Sequence, residues 1–242
     1  MPSPAPPRIA PPAAVWTAAG LRIADPRFAA DAGIDLEHPR HGIRVAHSAV
    51  VAGDAVLGLD LRSDARLADH WLRGADVTAV YESTDARRLR TTAMWRLRPS
   101  AAGTIAWELI VSAQTALVQS DSSLAVVSEV DATECLWGSS HDGGVRWRPD
   151  AAADATCVLL RRGGSAASSV LVAAHPGETR RIAVRRQGPR AVVECWLFSA
   201  AIEKGVLLRS RVLAAIGPTA TDLDWAAEIA ATFSTAPPML TT

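Results

Sequence analysis

A single lysine, Lys204, stands among the 25 basic residues, and the other 24 are arginine. The 25 acidic residues balance them to a formal net charge of zero. Nucleic-acid and polyphosphate binders need a basic surplus, so no nucleic-acid partner is expected. The arginine bias comes with 47 alanines and reads as a GC-rich coding sequence. Cysteine is scarce: Cys135, Cys157 and Cys195 are odd in number and have no close pair. That excludes a CxxC zinc site and argues against a disulfide framework. All three lie in apolar strand-like runs, where buried free thiols are expected. No apolar run approaches the about 18 residues of a membrane span. The proline-rich start, MPSPAPPRIAPPAAVW, lacks the apolar segment of a signal peptide. A soluble protein of the cytoplasm is the expectation. P-loop, GxGxxG and GxSxG patterns are missing as well, and no cofactor is expected.

What is present is strand. Residues 1–13 should be extended or disordered, because repeated proline cannot feed a sheet ladder. Residues 14–242 read as one all-β domain. Between Arg88 and Arg98, Leu89, Thr91, Ala93, Trp95 and Leu97 alternate with arginine and polar residues, the period of a half-buried strand. Thr104–Ser112 is nearly apolar and should lie centrally in a sheet. From Thr156 to Ala214, short apolar runs are separated by Gly163-Gly164, His175-Pro176-Gly177-Glu178 and Gln187-Gly188-Pro189. Such gaps suit hairpins and predict a continuous antiparallel meander. Asp25–Gly42 reads as a long loop with a short helix. Asp64–Gly74 fits a strand or a helical turn. Near the end, Thr221 is placed to cap a helix over about 222–233, with Leu223, Ala226, Ile229, Ala230 and Phe233 on its buried face. The fold class is therefore all-β, a large antiparallel two-sheet sandwich with one C-terminal α-helix.

Glu108, Glu134 and Glu194 sit inside apolar strand runs. A carboxylate there must pair, face solvent or serve a site. Trp107, Trp137 and Trp196 lie beside them, and Trp147 is flanked by Arg146 and Arg148. Indole faces stack on sugar rings, but indoles also fill wide cores. A sugar site of this composition requires these side chains to share one concave pocket; glutamates on unrelated surfaces would remove its basis. An enzyme would add a histidine such as His70 or His141 as acid or base. His38, His41 and His47 gather near Asp35 and Glu37, but the spacing matches no metal motif, and no metal is expected. The strand arginines, Arg90, Arg96, Arg98, Arg181, Arg185, Arg209 and Arg211, could instead face partner chains in a homo-oligomer.

Two passages, Trp107–Ser120 (WELIVSAQTALVQS) and Ile202–Ala214 (IEKGVLLRSRVLA), resemble segments of bacterial all-β proteins of galactose-mutarotase-like supersandwich architecture. The resemblance covers the middle and the C-terminal half of the chain. It implies a concave sheet that faces carbohydrate. The mutarotase pattern of catalytic histidine and glutamate has no residue-by-residue counterpart, so no catalytic role carries over.

Overall fold

The computed structural model describes residues 13–17, 20–24, 30–47, 54–74, 76–98, 100, 103–141, 144–163, 168–198 and 200–237. Below residue 32, and at 46–47, only the backbone is described. The proline-rich start and most of its expected extended form lie outside these residues.

Nineteen strands and one α-helix are found among the described residues. They are β1 (Ala13–Thr17), β2 (Gly20–Ala24), β3 (Ala30–Ile34), β4 (Ile43–His47), β5 (Asp54–Asp60), β6 (Ala65–Arg73) and β7 (Asp76–Ser83). There follow β8 (Leu89–Arg98), β9 (Ile105–Thr115), β10 (Gln119–Asp121), β11 (Leu124–Asp131), β12 (Glu134–His141), β13 (Gly144–Arg148) and β14 (Cys157–Arg161). The last are β15 (Ser168–Ala174), β16 (Arg181–Gln187), β17 (Arg190–Phe198), β18 (Ala201–Glu203), β19 (Leu208–Pro218) and α1 (Asp222–Thr235). One sheet runs β1-β2-β3-β4-β5-β11-β17-β16 and the other β13-β12-β14-β15-β19-β9-β8-β7-β6, with β10 and β18 paired apart. The expected antiparallel two-sheet sandwich with a terminal helix is what the chain forms.

The alternation of β8 places Leu89, Thr91, Ala93 and Trp95 inward and buried, as its period requires. Ala93 and Trp95 join Leu109 and Val111 of β9, and Leu59, Val126, Val193 and Cys195 of the other sheet, in one continuous core. The two sheets are also tied by polar atoms. A β-bulge in the β5–β11 ladder leaves Leu57 at φ 58°. Its amide donates to Ser128 Oγ at 3.1 Å, and its carbonyl accepts from Trp95 Nε1 of the facing sheet at 2.9 Å. A backbone group inside the core must find such a partner. Asp54 and Arg162 form a second buried tie, an ion pair between the sheets.

Several local expectations change. The Thr156–Ala214 stretch is not one meander. β14 and β15 pair in the nine-stranded sheet, whereas β16 and β17 pair in the other. The His175–Thr179 turn therefore carries the chain between sheets: its Pro-Gly geometry fixes a reversal but not the partner of the next strand. The Asp25–Gly42 region contains a strand, β3, and a 3₁₀ turn at Pro39–His41. Thr221 stands at the helix N-cap without a side-chain cap bond. Leu223 is exposed, and Trp225 takes its place on the buried face.

Candidate binding face on the nine-stranded sheet

The outer face of this sheet is divided in two. Over β14, β15 and β19 the outward side chains are apolar: Cys157, Leu159, Leu171, Ala173, Leu213 and Ala215. Trp225, Ala226, Ala230 and Phe233 of α1 cover them. Gly217 makes the approach close, because a Cβ there would come within 2.7 Å of the Trp225 ring. Trp225 Nε1 donates to the Pro218 carbonyl at 3.0 Å. Asp222, 2% exposed, latches the helix start to the sheet. It accepts two bonds from the Arg161 guanidinium, at 2.8 and 2.9 Å, and one from Ser169 Oγ at 2.7 Å. Burial pushes its carboxyl up, and these bonds more than reverse that, holding it below the usual 3.8.

Beyond the helix, β6 to β9 keep an open outer face. The ladder register aligns Trp71, Thr78, Met94 and Ile110 in one row across the four strands. A hollow of about 440 Å³ lies over them, with Arg73, Asp76, Thr92, Arg96, Ser112 and Arg209 contributing its polar groups. Trp71 is 45% exposed, the most exposed indole among the described tryptophan side chains. Arg96 Nε donates to Asp76 Oδ2 at 3.0 Å and Arg209 Nε to Ser112 Oγ at 3.0 Å, so two guanidinium groups are held in place. Three arginines against one aspartate give the hollow a local charge of 3 − 1 = +2.

A second hollow, about 370 Å³, lies at the seam with the helix. Ala106, Leu213, Ile229 and Phe233 form its apolar walls, and Glu108 and Arg211 its polar floor. Glu108 is 3% exposed and accepts no hydrogen bond among the described residues. Its carboxylate lies 3.5 Å from Arg98 Nη1 and 3.9 Å from Arg211 Nη1. Arg211 is fixed from the other side by Glu178, through three contacts of 2.9–3.1 Å, and stands over the Phe233 ring at 5.6 Å. His175 Nε2 reaches the Ala236 carbonyl at 3.0 Å and ties the same turn to the helix end.

The three sequence candidates among the glutamates do not meet. Glu108 and Glu134 share the outer face but sit on β9 and β12, with β14, β15 and β19 between them, about 19 Å at the usual strand spacing. Glu134 is exposed and pairs with Arg161 at 3.0 Å. Glu194 lies on the outer face of the other sheet, bonded to Arg185. The tryptophans separate too. Trp107 and Trp137 are buried in the core between the sheets. Trp147 packs into the apolar cluster under α1. Trp196, on the far sheet, has the Arg62 guanidinium over its ring at 4.7 Å and that of Arg181 at 4.9 Å. His141, Arg146 and His70 are exposed on β12, β13 and β6. The expected sugar constellation is therefore not assembled, because strand parity sends these residues to different faces. Trp71 was missed because its run, ARLADHWLR, lacks alternation: a bulge between Leu67 and Asp69 shifts the register.

No protein-family profile matches the chain, and no curated protein sequence matches it either. No helix among the described residues is long and apolar enough to cross a membrane.

Proposed function

We propose that the open outer face of β6–β9 binds carbohydrate bearing acidic groups, with Trp71 as the stacking platform. The observation that carries this reading is the half-exposed Trp71 indole beside a hollow lined with guanidinium, hydroxyl and carboxylate groups. A sugar presents an apolar C–H face to an indole and hydroxyls to polar side chains, and this hollow offers partners for both. The local charge of +2 favours uronic-acid or sulfated sugars over neutral ones, since Arg forks match carboxylate and sulfate oxygens.

The test is a glycan array of neutral and acidic oligosaccharides, followed by titration calorimetry of the best hit. Binding to acidic members, weakened at least about tenfold by Trp71→Ala, is the expected result; stacking on an aromatic ring has that order of worth. An array without hits, or a hit that Trp71→Ala leaves unchanged, removes the reading.

A further inference from the structure

We propose that the segment Asp35–Gly42, which joins β3 to β4, is a binding site for a divalent transition-metal ion of the Zn²⁺, Ni²⁺ or Cu²⁺ class, held by Asp35, His38 and His41. One ligand atom from each of the three lies within 4.8 Å of the others. His38 Nδ1 and Asp35 Oδ2 are already 2.9 Å apart. A tetrahedral ion with bonds of about 2.0–2.1 Å needs its ligands about 3.4 Å apart, so rotation of exposed side chains closes the set. Two imidazoles and one carboxylate are the donor types this class of ion prefers.

The segment is held in place from beneath. Leu36 is buried, and its carbonyl accepts from the buried Tyr81 hydroxyl at 3.0 Å. A Cβ on Gly58 would stand 2.0 Å from the Arg40 carbonyl oxygen, and one on Gly42, at φ 57°, 2.3 Å from that of Val56. Only glycine permits such close backbone contact. Arg40, within the same segment, gives its guanidinium to Asp60. Among the described residues no guanidinium is paired with Asp35, and Glu37 adds an exposed negative charge nearby.

Local turn chemistry accounts for the aspartate alone. Asp35 Oδ1 accepts from the Glu37 amide at 3.1 Å, an ordinary turn contact. It does not account for two histidine rings stacked at 5.5 Å in solvent, with the His41 ring making no hydrogen bond among the described residues. The neutral tautomer of His38 with its one proton on Nε2 leaves the Nδ1 lone pair to bind the ion. Three protein ligands leave a fourth position for water or for a group from another molecule. Sequence spacing argued against a metal here; the 3₁₀ turn at Pro39–His41 is what folds the two rings together.

The site shares no residue with the sugar face, so the two readings fail separately. Titration calorimetry of the chelator-treated chain with zinc chloride alone should give one ion per chain. Co²⁺ should give the intense visible bands of a near-tetrahedral site. His38→Ala and His41→Ala should each weaken binding at least about tenfold, since losing even an outer-shell partner costs about 10–100-fold. All three side chains are at least partly exposed, and unchanged circular dichroism will show that the variants fold. His141→Ala, at another exposed histidine, should leave binding as it is. Absence of binding, or binding that survives the His38→Ala/His41→Ala double variant, overturns the proposal.

Discussion

The covered and open halves of one sheet face show how a single short helix changes what a strand must display. β14, β15 and β19 present leucine, alanine and cysteine outward, and Trp225 and Phe233 seal them. β6–β8 of the same sheet present arginine, threonine and aspartate outward, with Trp71 and Met94 among them. The inward faces of both halves are equally apolar. Outward composition is thus set by the presence of α1 and not by the sheet. The seam between the halves runs through Glu108 and Arg211, where buried charge meets apolar wall.

The difference can be broken from the covered side first. Trp225→Ala should cost about 3–5 kcal/mol of unfolding free energy in urea, the usual result for a buried aromatic. Trp71→Ala, on the open side, should change stability by less than about 0.5 kcal/mol. Comparable losses would mean that the helix is not a structural lid.

Asp222→Asn should cost about 3 kcal/mol, because it leaves the Arg161 guanidinium with a neutral partner. The wild-type carboxyl is depressed in the folded state, so its contribution is complete above the unfolded value of 3.8. It is lost as pH falls through the lower folded value. Denaturation between pH 5 and about 2 should therefore show the wild type losing its advantage over Asp222→Asn.

Cys157 lies under α1, where burial pushes its thiol up to about 12. Trp225→Ala should raise its alkylation rate several-fold. Cys195, inside the core between the sheets, should stay protected and serves as the internal control. A smaller loss than at the Asp222 latch is expected at the seam. Glu108→Gln should cost about 1 kcal/mol, since Arg98 is half-exposed and Arg211 keeps Glu178. A loss above about 3 kcal/mol would move the seam carboxylate into the structural half.

Period-two patterning made the layers readable in advance. β8 and β9 fall where alternation and apolar runs predict, and so does α1. Their partners were not readable, because a turn such as His175–Thr179 closes a hairpin and crosses between sheets with the same residues. Side-chain destinations were lost in the same way. Glu194 and Glu108 look alike in sequence, yet β17 and β9 turn them out of opposite sheets. Asp222, in the first turn of the helix, proved to be the latch to Arg161. The Asp35–His41 cluster could not be read from spacing, since it depends on the 3₁₀ turn and on a glycine pair sixteen residues apart, Gly42 and Gly58.

The place of β19 in the sheet order has a bearing on synthesis. It lies between β9 and β15 and is made after both. Until it emerges from the ribosome, the nine-stranded sheet exists as two separate pieces. Each then offers a long apolar strand with unpaired amides along one side. Pairing at such distance in sequence is slow, and open strand edges recruit neighbouring chains. The nascent chain thus stays exposed until Leu208–Thr235 is made, which inserts one strand and lays one helix over the join.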